Sequence, residues 1–421
     1  MTDARTGVTT YTYNNADMVE TVTTPSPGVG FGKAQVTMNQ YDPMLRVTNV
    51  IEADGTSVRT EYYPDGLVKK VWGSRRYAVE YAYDYAGRLK SMKTWQVFNH
   101  QTGQGISGAA ITTWNYDPYR GWLTNKVYSD GRGPAYTYTA GGRLSKRVWA
   151  RSVNGQFIQT VYTYNNAGEL AVVGYTDGTA NVTNTYDRLG RQVSISAGGM
   201  TINRAYSIGN QLMSEQYTGG VLGGILVTNM YDSVSRRTNI GVYIGQGLVY
   251  NIGYRYDQAG RLSAVSDTTN TVTYGYLWQS MLVERRQSSW KGAVRLVETN
   301  RYDGLNRLTQ VQTVNGTGAT VTSYTYTYND ANQRVRAGLG DGSYWVYEYD
   351  RLGQVVRGRR YWSDGTPVAG QQFEYGFDDI GNRKVTRRGG DGNGWNLRES
   401  LYTVSYTHLR AHETPEHLVC R

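Results

Sequence analysis

Alternation of polar and apolar positions with a period of two runs through most of the chain. Thr320-Val-Thr-Ser-Tyr-Thr-Tyr-Thr-Tyr328 and Thr268-Thr-Asn-Thr-Val-Thr-Tyr-Gly-Tyr276 show it most clearly. Threonine, valine and tyrosine in this order predict half-buried β-strands. Between such segments stand Asp54-Gly55, Asp65-Gly66, Asp177-Gly178, Asn315-Gly316, Asp341-Gly342 and Asp364-Gly365, pairs that favour tight hairpin turns. No window has the 3.6-residue spacing of an amphipathic helix.

The alternation is itself repeated. Tyr81-Ala-Tyr-Asp-Tyr-Ala-Gly-Arg-Leu89 returns as Tyr254-Arg-Tyr-Asp-Gln-Ala-Gly-Arg-Leu262 and as Tyr162-Thr-Tyr-Asn-Asn-Ala-Gly-Glu-Leu170. Aligned on the second aromatic, sixteen copies have anchors at 13, 41, 63, 83, 116, 138, 164, 186, 206, 231, 256, 276, 302, 328, 349 and 377. The residue after the anchor is Asp or Asn in twelve copies, and such side chains start turns by accepting backbone hydrogen bonds. Four after it, eleven copies have Gly, Asn or Asp, residues that tolerate positive φ. Six after it, eleven have an apolar residue. Each unit therefore reads as strand, turn, strand, and sixteen units predict on the order of thirty strands. Pro25–Gly32 and Asn99–Gly108 interrupt the period and are expected to be surface loops. The array is expected over residues 1–400, with an atypical, non-native tail over 401–421.

Composition sharpens this picture. The 421 residues include 38 Tyr and 51 Gly but only 5 Phe. A single Cys excludes an internal disulfide framework. No apolar run is long enough for a membrane-spanning helix, and Met1–Gly7 does not have the character of a signal peptide. The net charge of +10 comes from 35 Arg and 9 Lys. Seven of those Arg (46, 88, 143, 191, 236, 261 and 307) stand five after an anchor, so they are expected to stack on tyrosines across strands. No recognition motif accompanies the charge, so sequence-specific nucleic-acid binding is not expected.

The Tyr-Asp-x-x-Gly-Arg-Leu phrase, iterated from residue 11 to about 383, resembles the YD repeat of bacterial RHS proteins. The repeat is shared with the C components of insecticidal toxin complexes and with the teneurins. The resemblance implies a spiralling strip of antiparallel sheet that forms part of a hollow β-shell. It also implies a secreted or cell-surface location, the remaining shell repeats as partners, and a C-terminal toxin as cargo. The array opens within a repeat, and its Asp-Pro pairs, Asp42-Pro43 and Asp117-Pro118, do not have the form that closes such shells. An internal piece of a larger shell is the expectation.

Candidate chemistry is sparse. Nine Asp at one repeat position read as turn caps rather than catalytic carboxylates. The array's single histidine, His100, precludes a Ser-His-Asp set there. His408, His412, Glu413 and His417 have the wrong spacing for a zinc-protease motif, and Pro415 interrupts them. Catalytic, cofactor-binding and metal residues are therefore all set at none. Two rival surfaces remain. Trp95, Trp114, Trp122 and Trp362 would offer rings to a cell-surface glycan, although core packing is the more natural use of such rings. Arg75-Arg76, Arg285-Arg286, Arg359-Arg360 and Arg387-Arg388 would meet an anionic partner.

Overall fold

A computed structural model describes residues 2–3 and 5–402. The tail assigned to 401–421 lies almost wholly outside the described residues, as do His408, His412, Glu413, His417 and Cys420. Among the described residues there are 35 strands and no helix. Two short strands pair at the N-terminus, Thr2–Asp3 with Gly7–Val8. The other 33 form one antiparallel sheet in which each strand pairs with its neighbours in sequence. No ladder joins the first of these, Thr10–Tyr13, to the last, Leu397–Leu401, so the sheet is open-ended.

Two features of the repeat make this strip coil. Sheets twist with a fixed hand, and here a β-bulge recurs beside nearly every anchor. Tyr41 faces Val47 while Gln40 faces Asn49, so Thr48 is the extra residue. The same slip recurs at Tyr186, Tyr256 and Tyr302. A bulge bends its strand and increases the local twist. Repeated at one position in each hairpin, it curves the whole strip in one sense.

The coil completes a circuit. Pro27 O accepts a hydrogen bond from Gly304 N at 2.8 Å, and 23 strands lie between these residues. At about 4.8 Å per strand the circuit is roughly 110 Å, or about 35 Å across as a circular section. Opposite walls that far apart cannot interdigitate, since packed sheets lie about 10 Å apart. The wall is therefore a single layer. Its accessible surface, 25139 Å², compares with roughly 16,000 Å² for a compact monomer of this mass. Only twelve apolar residues are buried among those described.

Hairpin ends along the strip alternate between two rims. One rim carries the turns that follow the anchors, and the other carries the remaining turns. The residue that closes each anchor turn adopts positive φ, as at Gly87, Gly190, Asn210 and Asn306. Leu45 (φ 62°) and Ser235 (φ 68°) hold the same conformation without the residue type that favours it. Left-handed backbone costs an ordinary residue roughly 1–2 kcal/mol. Leu45→Gly and Ser235→Gly should each stabilise the fold by about 1 kcal/mol. Chemical denaturation would measure the shift, and Ser233→Gly, outside the positive-φ position, should instead lose up to about 1 kcal/mol to the freer unfolded chain.

Two sequence expectations need correction. The anchor set at Tyr63 belongs to Tyr62, which ends its strand opposite Val68. Tyr63 takes the turn position that Asp usually fills, and its amide bonds to Leu67 O. The segment 99–108 is not a loop. It is the tip of the longest hairpin, Leu89–Asn99 with Gln104–Tyr116, and only a tight turn joins the two strands. Glycines that read as loop residues serve packing here: a Cβ on Gly105 would lie 2.1 Å from the Trp95 indole nitrogen.

Candidate functional site, the stitched wall and its seam

Three interactions recur along the wall. From Tyr41 to Tyr349 each anchor tyrosine closes its strand with its hydroxyl on a backbone carbonyl of the preceding repeat. Tyr83 donates to Val68 O at 3.0 Å, Tyr116 to Leu89 O at 2.9 Å and Tyr276 to Leu262 O at 2.7 Å. Fourteen anchors make this bond. In twelve of the fourteen the acceptor stands six residues after the previous anchor, in the column the sequence marked only as mostly apolar, and at Leu123 and Val283 it stands one residue later. Burial pushes these phenols above their ordinary value at Tyr83, Tyr116, Tyr138, Tyr186 and Tyr302.

The second interaction is an Asp–Arg staple. Asp84 Oδ1 accepts the amides of Ala86 and Arg88, while Oδ2 accepts Arg88 Nε at 2.7 Å. The same arrangement holds at Asp42–Arg46, Asp187–Arg191, Asp232–Arg236 and Asp303–Arg307. The Arg88 side chain, donating to Asp84, holds that carboxyl below its usual range, and Arg191 does the same for Asp187. The third interaction carries each staple to the next repeat. Arg88 lies 4.5 Å from the Tyr116 ring centre and Arg261 4.4 Å from that of Tyr276. Cation–π stacking was legible in the sequence. The staple was not, although Asp and Arg four residues apart across a turn were the available signal.

The two insertions supply what the repeat lacks, a contact between successive circuits. Loop 24–35 meets the anchor turns near 303 and 330. Arg307 donates to Phe31 O at 2.9 Å, and Gln35 Nε2 to Asp330 O at 3.1 Å and Asn332 Oδ1 at 2.9 Å. Further along, Arg75 donates to Ala331 O at 2.9 Å. The tip of hairpin 89–116 meets the turn at 378–382: Phe98 N donates to Asp379 Oδ2 at 2.7 Å, and Asp379 N to Gln96 O at 3.0 Å. Beneath that hairpin Trp72, Ala78, Trp95 and Phe98 form a buried cluster. Lys70 points its ammonium among the three rings at 5.3–5.6 Å and donates to Gly103 O.

Gly304 sits at the closest approach. A Cβ there would lie 2.4 Å from Ser26 O and 3.3 Å from two Pro27 backbone atoms. Its φ is not in the left-handed region, so space alone is at issue. Gly304→Ala should destabilise the protein by about 1–3 kcal/mol through overpacking. Amide exchange should accelerate at residue 304 and in loop 24–35, and unchanged exchange there would show that the seam does not depend on this contact.

The nominated surface residues fare unevenly. Trp95 is buried against Phe98 and Lys70 and offers no ring to solvent. Trp114 and Trp122 are half-buried beside Lys126 and Arg120. Trp362 is exposed, as are Trp278, Trp290 and Trp395, which the sequence reading passed over. The arginine pairs are largely engaged: Arg286 with Glu298, Arg359 with Glu374, Arg360 with Asp341 and Arg387 with Glu399.

The chain matches no established family profile. Human and mouse teneurin-4 are each 23% identical to it over 340 residues, covering 75% of this chain and 12% of teneurin-4. Among solved structures, TcdB2-TccC3 covers 94% of the chain at a TM-score of 0.55 and 13% identity. TcdB2-TccC3-Cdc42 covers the same share at 0.57 and 13%. The chain spans about a quarter of each of those structures. An antiparallel strip built from sixteen strand–turn–strand repeats and coiled into a wall is the fold that these similarities share. The chain is thus similar in sequence to the teneurins and in fold to TcdB2-TccC3, in line with its resemblance to the YD-repeat, or RHS-repeat, proteins.

Proposed function

We propose that this chain is a non-catalytic wall segment of an RHS-type shell that encloses and delivers a C-terminal toxin, in a secreted or cell-surface protein. The observation that carries this reading is the seam. A strip that coils through a full circuit and bonds to itself encloses space without filling it. A binding module of the same length has no need of an empty interior. The stitched wall supports the same role, because each repeat is tied to the next by a hydroxyl bond and a staple, leaving few points where the wall would open. Its partners are the remaining shell repeats and the cargo. No helix of the described residues is long and apolar enough to cross a membrane.

Limited proteolysis of the full-length protein tests the reading. The cargo domain should resist digestion inside the intact protein and be cut rapidly when expressed alone. Equal digestion in both forms would overturn encapsulation. A second reading, adhesion to cell-surface glycans, has the exposed Trp278, Trp290, Trp362 and Trp395 in its favour. Those rings stand at hairpin ends along the rims rather than side by side on a sheet face. Saturable glycan binding lost on Trp362→Ala would favour adhesion over the shell.

A further inference from the structure

Tyr344 and Tyr361 stand outside the tyrosine columns of the repeat, since neither is an anchor nor two residues before one. They lie directly opposite each other on neighbouring strands, Tyr344–Tyr349 and Val355–Tyr361. Their rings stack, with centres 5.6 Å apart and planes 23° from parallel. The Arg336 guanidinium packs over the Tyr344 ring at 3.5 Å and holds it in place. Tyr63 and Tyr83 also meet, but edge to face, with centres 6.1 Å apart at 84°. The repeat that carries the stacked pair has a weaker staple than most. Asp350 accepts Gln354 N and Nε2 there, where Asp84 and Asp187 accept an arginine.

We propose that Tyr344 and Tyr361 are a site of oxidative coupling, where a peroxidase acting with hydrogen peroxide joins the two rings as dityrosine and ties the two strands covalently. Each phenol gives up one electron and its hydroxyl proton and becomes a phenoxyl radical. The two radicals pair to form one carbon–carbon bond between the ring positions beside the oxygens. The hydrogen on each of those carbons then moves to its phenol oxygen, which restores both rings. One peroxide takes the two electrons and two protons and leaves as two waters. Coupling of this kind needs two ring edges that meet. Opposed residues of an antiparallel pair have Cβ atoms about 5 Å apart, and near-parallel rings on them need only slide to bring those carbons together. The edge-to-face Tyr63 and Tyr83 do not present them. Both rings of the stacked pair are half-buried, so each meets solvent along part of its edge. The inference rests on the geometry of this pair and holds whether or not the wall encloses a toxin.

Peptide mapping by mass spectrometry tests it, after the dilute chain is treated with a peroxidase and limiting hydrogen peroxide. Cys420→Ser is the background, so that no thiol competes. The first coupled product should join the peptides of Tyr344 and Tyr361, lighter by two hydrogens than their sum. Its yield per chain should not change with protein concentration, as befits a reaction within one molecule. Tyr361→Phe keeps a ring in place and should abolish this product with an unchanged circular dichroism spectrum. If that variant unfolds, Tyr344→Phe serves as the second test of the same loss. The coupled chain should unfold at a higher denaturant concentration, because the link constrains the unfolded state across the turn between the two strands. Consumption of the freely exposed Tyr85 and Tyr119 (92% and 94% exposed) with no coupling of 344 to 361 would overturn the proposal. So would coupling of Tyr63 to Tyr83 at an equal rate, since geometry would then not select the pair. A coupled chain with an unchanged unfolding midpoint would overturn the covalent tie.

Discussion

Asp303→Ala is expected to destabilise the protein by about 3–5 kcal/mol, the usual effect of stripping one partner from a buried ion pair. The Asp303 side chain is fully buried and that of Arg307 is 10% exposed, with Oδ2 to Nε at 2.6 Å. Asp303 also accepts the amides of Leu305 and Arg307. Arg307 in turn reaches Phe31 O, Asn332 Oδ1 and the ring of Tyr328. Removing the carboxylate therefore leaves a buried guanidinium uncompensated and undoes the turn that holds the seam. Asp257→Ala is the control. It removes the same bonds to Arg261 in a turn on the open rim, where water can solvate the freed charge, and its effect should be much smaller. Denaturant titration of both variants measures the difference, and equal losses would show that the seam adds nothing to this staple.

Alkaline unfolding is expected to begin above pH 10 and to be cooperative. The anchor phenols hold their protons to a higher pH in the folded chain than in the unfolded one, chiefly because burial disfavours the phenolate. Below pH 10 both states are protonated and the hydroxyl ladder is intact. As pH rises past 10 the unfolded chain releases protons that the folded chain retains, so stability falls until the folded phenols ionise as well. Ionisation also removes the donor from each hydroxyl–carbonyl bond, turning an attraction into a repulsion between phenolate and carbonyl. Tyrosine absorbance and the β-sheet dichroism signal should therefore change together. Free titration of the phenols with the sheet signal intact would show that the ladder does not hold the wall.

The repeat, its strands and its turns were legible because each has a local cause. Period-two alternation gives the strands, Asp after the anchor starts the turn, and a positive-φ residue closes it. The Asp–Arg staple was within reach of the same reasoning, since both columns had been marked, but each was explained separately. Tyr62 was misplaced by one residue because Glu-Tyr-Tyr-Pro offers two aromatics, and only the strand register separates them. The seam was beyond local reasoning. Pro27 and Gly304 are 277 residues apart in sequence, and no periodicity relates them. The clue was the pair of insertions themselves. Segments that break a repeat without carrying charge or linker character have a task the repeat does not perform, and here both form contacts between circuits. Trp95 shows the same limit from the other side. Its burial depends on the hairpin folding over Lys70 and Trp72, which its own strand does not encode.

The central claim is that the strip returns to itself at residues 24–35. Its most direct test is a distance between spin labels at Lys33 and Asp330, both exposed positions beside the seam, in the Cys420→Ser background. Gln35 is bonded to Asp330 O across that gap, while 25 strands separate the two sites along the sheet. A coiled wall gives one narrow distribution at the short end of the measurable range. A strip that does not close its circuit gives a broad distribution extending towards its contour length of roughly 120 Å, and that result would contradict the seam and the enclosed space it implies.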